Sequence, residues 1–183
     1  MMLYTTTLKS PVGPLRLFAT QGALTAIYLE NHKGAPVLTA HERDDLPVLL
    51  AGRRQLEEYF AGERVSFELP LEPVGTPFQQ AVWKALREIP LGATWSYAQL
   101  ARHLGRAGAA RAVGAANGRN PLSIVVPCHR VVGTDGTLTG YAGGVPAKRW
   151  LLEHEQRIRT PGAAGTLVLQ ASAPLQMFQR IIP

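Results

Sequence analysis

Cys128 and its neighbours carry the most reactive chemistry in the sequence. Cys128 is the only cysteine among 183 residues, and His129 and Arg130 follow it directly within an otherwise apolar segment. A lone cysteine is commonly a small buried hydrophobe, so a passive core residue is the first interpretation. A cysteine reacts as the thiolate, however, which nearby cationic groups favour, and Pro127 restricts the backbone just before it. The pattern leaves a nucleophilic and a passive cysteine open.

The composition limits the other chemistry that this chain can perform. A single cysteine excludes an intrachain disulfide, a Cys-Cys redox cycle and a thiolate-rich zinc site. The five histidines show no His-x-x-x-His spacing, so we predict neither a metal nor another cofactor. The apolar runs are shorter than a membrane span, and the N-terminus lacks the pattern of a signal peptide. We therefore expect a cytoplasmic protein that does not bind membranes.

The charge is distributed unevenly along the chain, which has a net charge of +6. Residues 1–76 carry seven Lys/Arg against nine Asp/Glu, whereas residues 77–157 carry ten against four. A basic half beside a mildly acidic half indicates a polyanionic partner such as nucleic acid. A solvated basic surface is the alternative that charge alone leaves open.

The elements around Cys128 fall into two groups. Residues 3–9, 14–20 and 23–29 alternate in polarity between short turns, which predicts a three-stranded meander. We predict a helix from Leu46 to Phe60, a further strand over residues 65–69 and a linker at 70–75. Residues 31–44 are polar and irregular. This first half has no catalytic constellation and is expected to be structural.

The second half is predicted to be helical. Thr76 and Ser96 each begin a capping box, with a glutamine three residues later. A third helix over residues 107–117 consists mostly of Ala and Gly around a single long cation, Arg111. Two helices joined by a glycine turn are typical of a helix-turn-helix. Because base-reading side chains are scarce, these small residues either approach a nucleic-acid backbone or groove closely, or pack against another helix.

A last helix, predicted over residues 147–155, places Glu155 on its apolar side. A buried carboxylate needs a partner. Glu155 could form a salt bridge with Lys148 or Arg149, or it could orient the imidazole of His129.

Taken together, these features resemble the O6-alkylguanine-DNA alkyltransferases, the methylated-DNA–protein-cysteine S-methyltransferases. The resemblance spans residues 76–155 and is carried by six segments in the family's order: Ser96-Tyr97, Arg111-Ala112-Val113-Gly114, Asn120-Pro121, Pro127-Cys128-His129-Arg130-Val131, Tyr141-Ala142-Gly143-Gly144 and Leu151-Leu152-Glu153-His154-Glu155. It implies an α+β fold. An N-terminal ribonuclease-H-like sheet-plus-helix domain (1–75) would precede a mainly α-helical domain with a winged-helix-like helix-turn-helix (76–157), followed by a tail (158–183).

The resemblance also implies a reaction. Cys128 would take the alkyl group from O6-alkylguanine in DNA, and by extension from O4-alkylthymine, in a single self-inactivating turnover. His129 would act as base through a water, and Glu155 would orient its imidazole. Asn120 would brace the thiol, and Tyr97 would place its hydroxyl near the guanine nitrogen that gains charge.

The resemblance further implies how DNA is bound. Arg111 would enter the base stack after the damaged base has flipped out through the minor groove. The other implied DNA-binding residues are Ala112, Gly114, Tyr97 and Arg130, and the implied pocket residues are Val131, Tyr141, Ala142 and Gly143. The partner would be double-stranded DNA containing O6-alkylguanine, bound by a monomer, with cooperative binding left open.

The sequence departs from the family's pattern in two respects and also allows two other functions. The chain lacks the N-terminal zinc-binding cysteines that human-type members often carry, and Ser123 and Ala142 occupy variable pocket positions, which leaves the accepted alkyl size open. A related non-enzymatic branch of the family has tryptophan at the position of Cys128, so the cysteine in this sequence argues against that branch. A helix-turn-helix regulator with a passive cysteine and a hydrolase built on Cys128 and His129 are the competing functions.

Overall fold

The N-terminal domain begins with the meander that its short turns predict. The computed structural model describes residues 2–159. Strand β2 (Leu15–Ala19) pairs antiparallel with both β1 (Tyr4–Leu8) and β3 (Leu24–Leu29). A two-residue strand β4 (His41–Glu42) adds parallel to β1, which gives the order β3-β2-β1-β4. The three predicted strands are confirmed. The fourth strand was not predicted and lies in the stretch expected to be irregular. Two exposed residues give no apolar alternation from which a strand could be predicted.

Helix α1 (Pro47–Ala61) packs on one face of this sheet. Its close approach depends on Gly52, where a Cβ atom would lie 3.2 Å from the side chains of Leu17 and Leu24. Leu49 and other apolar residues of α1 are buried, and the helix ends at Gly62, whose φ of 80° suits glycine. The predicted helix is confirmed.

The strand predicted over residues 65–69 is wrong. The buried side chain of Gln55 bonds both backbone groups of Glu68, donating to its carbonyl at 2.9 Å and accepting from its amide at 2.8 Å. A side chain therefore satisfies the groups that a neighbouring strand would have paired. Strand-like pairing appears only beyond it, in an isolated bridge between Leu71 and Leu24.

The C-terminal domain is helical, as predicted. Helix α2 (Pro77–Leu86), strand β5 (Trp95–Ser96), helix α3 (Tyr97–His103) and helix α4 (Ala110–Gly118) follow one another. Both capping boxes are confirmed, at Thr76 and Ser96. Helix α4 begins three residues later than predicted and packs against α2 and α3. The indole of Trp83 on α2 donates to the carbonyl of Ala116 on α4 at 2.9 Å, which fixes these two helices.

The last elements enclose the cysteine. A short 3-10 helix (Cys128–Arg130) leads into strand β6 (Val131–Val132), which pairs parallel with β5, and helix α5 (Val145–Arg159) closes the described chain. Helix α5 is longer at both ends than predicted. Its last two residues begin the predicted tail 158–183, the rest of which lies outside the described residues. None of the helices within residues 2–159 is long and apolar enough to cross a membrane.

Strand β3 at the sheet edge ties the two domains together. The amide of Ile27 donates to the carbonyl of Pro121 at 2.7 Å, and the amide of Ser123 donates to the carbonyl of Ile27 at 3.2 Å. Just after β3, the amide of Lys33 donates to the carbonyl of Ala142 at 2.8 Å. The N-terminal sheet thus supports both the segment before Cys128 and the glycine-rich loop after it.

Candidate active site

A tightly folded backbone presents Cys128. Ile124 has a φ of 74°, the left-handed conformation that β-branched residues rarely adopt. The amide of Val126 donates to the carbonyl of Leu122 at 2.9 Å, and the amide of Cys128 donates to the carbonyl of Val126 at 2.8 Å. Strained backbone of this kind persists where the surrounding structure fixes it. The thiol therefore sits on a rigid support.

The sulfur of Cys128 receives a hydrogen bond from Asn120. The Asn120 side-chain nitrogen donates to Sγ at 3.0 Å and to the carbonyl of Val126 at 2.8 Å, while its oxygen accepts from the amide of Leu122 at 3.0 Å. All three bonds are buried, so the amide orientation is fixed. Asn117 donates to the carbonyl of Cys128 at 3.4 Å.

His129 and Glu155 meet in the interior. Nε2 of His129 lies 2.8 Å from Oε1 of Glu155, and neither side chain is exposed. Because Glu155 is an acceptor when ionised, the proton of a neutral His129 resides on Nε2. Nδ1 is buried and has no hydrogen-bond partner within residues 2–159. The ring therefore keeps one lone pair that can accept a proton.

Within the described part of the chain, Glu155 receives five hydrogen bonds. Its oxygens accept from Tyr59, Gly92, His129 and twice from Arg130, at 2.8 to 3.1 Å. Burial opposes ionisation of this carboxyl, but His129 and Arg130 outweigh it and hold the pKa of Glu155 well below its ordinary value. Burial conversely lowers the pKa of His129, although Glu155 raises it in part. The pair thus combines a carboxylate with a neutral imidazole.

Two sequence expectations about Arg130 are wrong. Its guanidinium binds both oxygens of Glu155 and, through one terminal nitrogen, the carbonyl of Ile89 at 2.6 Å. With its side chain only 10% exposed, Arg130 faces the interior rather than a DNA surface. Its positive charge is also paired with the carboxylate of Glu155, so Arg130 is not the cation that favours the thiolate of Cys128. Burial accordingly raises the pKa of the Cys128 thiol, with the bond from Asn120 and the charge of Lys148 acting in the opposite direction.

Lys148 is a buried cation beside the cysteine. Its ammonium donates to the carbonyl of Val131 at 2.6 Å and to that of Thr139 at 3.0 Å. Burial lowers the pKa of Lys148 to about 8, and Cys128 raises it in part. Lys148 therefore does not pair with Glu155, as one sequence interpretation allowed. It joins strand β6 to the loop before Tyr141.

The predicted pocket residues differ in burial. Tyr97, at the start of α3, is half-buried, and its hydroxyl donates to the carbonyl of Thr139 at 3.4 Å. Burial and then Cys128 raise the pKa of Tyr97, so its hydroxyl stays protonated at neutral pH. Val131 and Tyr141 are buried, whereas Ala142 and Gly143 are partly exposed in the glycine-rich loop. A Cβ atom at Gly143 would lie 2.8 Å from the side chain of Leu29.

Helix α4 presents its small residues and one cation to solvent. Arg111 and Ala112 are exposed, and Gly114 is partly exposed beside the ring of Tyr97. Val113 and Ala116 form the buried side of the helix. The packing against other helices is confirmed for the buried side, whereas the approach to nucleic acid stays a prediction for the exposed side. The ring of Tyr97 lies against Gly114 on this helix.

Sequence reasoning missed Tyr59 as part of the site and did not link Lys148 to it. Tyr59 belongs to the domain expected to be only structural, and 96 positions separate it from Glu155. Its position on the buried face of an amphipathic helix was the only signal, since a buried tyrosine hydroxyl needs a partner. Within residues 2–159, no group of three or more His, Cys, Asp and Glu side chains is arranged to hold a metal ion.

Known families match both halves of the chain. Residues 77–157 match the model described as "6-O-methylguanine DNA methyltransferase, DNA binding domain", and residues 3–73 match its "ribonuclease-like domain". A methylated-DNA–protein-cysteine methyltransferase from Haemophilus influenzae is 47% identical over 155 residues, covering 84% of this chain and 87% of that protein. The enzyme of the same name from Shigella flexneri is 49% identical over 158 residues, covering 81% and 92%.

Solved structures agree with the sequence matches. The structure of Mycobacterium tuberculosis OGT in complex with DNA superposes with a TM-score of 0.79 at 44% identity, covering 86% of this chain and 94% of that one. The O6-methylguanine-DNA methyltransferase from Pyrococcus kodakaraensis superposes with a TM-score of 0.51 at 26% identity, covering 84% and 99%. With two family models spanning both halves and relatives close to half identical, the chain belongs to the 6-O-methylguanine DNA methyltransferase family.

Proposed function

We propose that this chain repairs alkylated DNA by moving the alkyl group from O6 of guanine to Sγ of Cys128. The observation that carries the proposal is the arrangement at the lone thiol. Asn120 donates to the sulfur, and next to it stands an imidazole with one nitrogen fixed by Glu155 and the other unpartnered. A passive core cysteine requires none of these groups, which argues against a regulator with an inert thiol.

The reaction exchanges a proton for an alkyl group between sulfur and oxygen. A sulfur–carbon bond forms while the carbon–O6 bond breaks, and the electron pair of the broken bond passes to the guanine. The thiol proton passes to Nδ1 of His129 through a water, leaving an imidazolium that Glu155 stabilises. The bond from Asn120 stabilises the thiolate, whose pKa burial otherwise raises. The guanine takes up a proton from water in place of the alkyl group, and the imidazolium of His129 gives its proton back to water, so that overall one proton moves from sulfur to the base.

Tyr97 and the glycine-rich loop would seat the leaving base. The ring of Tyr97 lies against Gly114 of α4, its hydroxyl donates to the carbonyl of Thr139, and its raised pKa keeps it a donor. A donor at the guanine nitrogen that gains charge stabilises the transition state more than the ground state. Val131, Tyr141, Ala142 and Gly143 would line the pocket, and alkylated thymine would react in the same place.

DNA would bind along α4. The exposed small residues of this helix, Ala112 and Gly114 among them, allow a close approach to the minor groove, and Arg111 would occupy the gap left by the flipped base. Since base-reading side chains are scarce, binding would depend on phosphate contacts and fall with salt. We place the boundary between the two domains near residue 75. The protein would act in the cytoplasm, as a monomer and without a cofactor.

Intact-mass measurement tests the transfer. Incubation with duplex DNA containing one O6-methylguanine is expected to add one methyl group to the peptide that contains Cys128, in a one-to-one ratio with repaired DNA. The thioether is stable, and the chain holds no second cysteine to remove the group. Cys128→Ser should bind DNA and transfer nothing. Repeated turnovers, or a methyl group on another residue, would refute the proposal.

A further inference from the structure

Tyr59 connects the N-terminal domain directly to the catalytic carboxylate. It lies on α1 with no exposed surface, and its hydroxyl donates to Oε1 of Glu155 at 3.0 Å. Its backbone carbonyl accepts from Nε2 of His154, one residue before Glu155, at 2.7 Å. The ring packs against Phe60, Phe67 and the ring of His154, with centroids 5.2 to 5.5 Å apart. The hydroxyl is therefore held in place by contacts on several sides.

The oxygen that Tyr59 contacts is the same one that orients His129. Oε1 accepts from the Tyr59 hydroxyl, from Nε2 of His129 at 2.8 Å and from a terminal nitrogen of Arg130 at 2.9 Å. The other oxygen accepts from Arg130 and from the amide of Gly92. Donors that share one oxygen compete for its lone pairs. Each additional donor therefore leaves less negative charge for the imidazole.

We propose that Tyr59 is a positioning residue, supplied by the N-terminal domain, which limits the proton affinity of His129 by sharing Oε1 of Glu155. The inference rests on the proposed function, because it concerns the base of that reaction. The hydroxyl remains a donor, since burial and Glu155 raise the pKa of Tyr59 well above its ordinary value. In this way a domain without catalytic groups of its own adjusts the chemistry of the other domain.

The charged and titratable surroundings define the background against which Tyr59 acts. Around His129 and Glu155 these groups come from α1, the 3-10 helix, the glycine-rich loop and α5, and they are Tyr59, Cys128, Arg130, Tyr141, Lys148 and His154. Burial lowers the pKa of His129 most, Glu155 raises it, and Arg130 and Lys148 lower it further. Removing the Tyr59 hydroxyl leaves Arg130 and Lys148 in place but returns lone-pair density to Oε1. The pKa of His129 should therefore rise in the variant.

Tyr59→Phe is the direct test, and Tyr4→Phe is its matched control. Tyr4 is a buried tyrosine of the same domain, whose hydroxyl contacts only the sulfur of Met2 within the described chain. The single-turnover rate on duplex DNA with O6-methylguanine is measured from pH 5 to 8. In Tyr59→Phe we expect the acid limb of the profile to move up by roughly half a pH unit, with the plateau lowered less than about tenfold. Tyr4→Phe should retain the wild-type profile.

A histidine NMR titration provides a readout independent of transfer. With labelled histidine, the His129 resonance of Tyr59→Phe should titrate at higher pH than that of the wild type. A purely structural role predicts lower thermal stability with the acid limb and the His129 titration unchanged, and that result would overturn the proposal. If wild-type protein transfers no methyl group, the proposed function fails instead, and the titration still decides the contribution of Tyr59.

A second variant covers the case in which Tyr59→Phe does not fold. Replacing Tyr59 with 3-fluorotyrosine keeps the ring and makes the hydroxyl a stronger donor. It should withdraw more charge from Oε1 and move both the acid limb and the His129 titration to lower pH, opposite to Tyr59→Phe. A shift upward, or none, contradicts the proposed sharing of the oxygen.

Discussion

At the scale of single residues, the environment of the sulfur determines the pKa of the buried thiol. Burial raises the pKa of Cys128, and the two groups that lower it through their side chains are Asn120 and Lys148. Neither is a sequence neighbour, whereas the adjacent Arg130 is engaged by Glu155. The side chains that lower the pKa of this thiol are therefore brought to it by the fold.

Asn120→Ala should slow alkyl transfer more than it affects folding of the surrounding loop. The variant loses the hydrogen bond to sulfur, and bonds to charged groups contribute about 1.5–3 kcal/mol, which corresponds to a rate roughly ten- to a hundredfold lower. The thiolate absorbance of Cys128 should also titrate at higher pH. Stopped-flow transfer and ultraviolet titration measure the two effects.

Asn117→Ala is the matched control for this change. Asn117 is a buried asparagine of the same region, but it donates to the carbonyl of Cys128 rather than to its sulfur. Its loss should leave the thiolate titration near that of the wild type. Equal shifts in the two variants would show that the loop, and not the bond to sulfur, sets the pKa of Cys128.

At the scale of elements, local signals in the sequence predicted what local forces determine. The capping boxes at Thr76 and Ser96 placed two helix starts correctly, because a cap is satisfied within one turn. The predicted strand at residues 65–69 failed because the distant side chain of Gln55 took both backbone groups of Glu68. Alternation alone cannot reveal such a competitor.

The site follows the same division. The cluster around Cys128 was recognisable because its residues lie close together in a distinctive motif. Tyr59 was missed because its contact with Glu155 depends on how α1 meets α5, across 96 positions. The mistaken role of Arg130 has the same origin, since only the fold shows that its guanidinium turns towards Glu155 and Ile89.

Gly143→Ala should displace the glycine-rich loop from strand β3. The added Cβ atom would lie 2.8 Å from the side chain of Leu29 and 2.9 Å from the ring of Tyr141, which is closer than carbon atoms approach without movement. Because the loop is proposed to form a pocket wall, we expect transfer from duplex DNA and from free O6-benzylguanine to fall by a similar factor, about tenfold. Gly22→Ala, at a turn with no atom within 4 Å of the new group, should have no effect on either.

Arg111→Ala should instead separate the two substrates. Arg111 is exposed on α4. Its proposed role is to occupy the gap that the flipped base leaves in the stack, and this role requires duplex DNA. Repair of duplex DNA should slow at least tenfold, while transfer from free O6-benzylguanine, which needs no flipping, should change little. Arg54→Ala, an exposed arginine on α1, should match the wild type on both. Equal losses on both substrates in Arg111→Ala would contradict a role in base flipping.

At the scale of the whole molecule, Glu155 is the point where the two domains and the chemistry converge. Its carboxylate binds α1 through Tyr59, the turn after α2 through Gly92, and the 3-10 helix through His129 and Arg130. A buried charge of this kind is stable only while all its partners are present. Stability and catalysis therefore depend on the same group, and acid should weaken both.

The pH dependence of unfolding can isolate this group. The folded pKa of Glu155 lies well below its ordinary value of 4.5, so its stabilising contribution is complete above that pH and is lost as the pH falls towards the folded value. His129 has a lowered pKa, so it too favours the folded state less as the pH falls below its ordinary value of 6.5.

In Glu155→Gln, the guanidinium of Arg130 remains buried without its counter-ion, which should cost about 3–5 kcal/mol at neutral pH. Urea unfolding of wild type and variant between pH 3 and 7 should show a stability difference that narrows below pH 4.5, because only the wild type loses the contribution of an ionised carboxylate there. A difference that stays constant down to pH 3 would mean that Glu155 is not the acid-sensitive link between the domains.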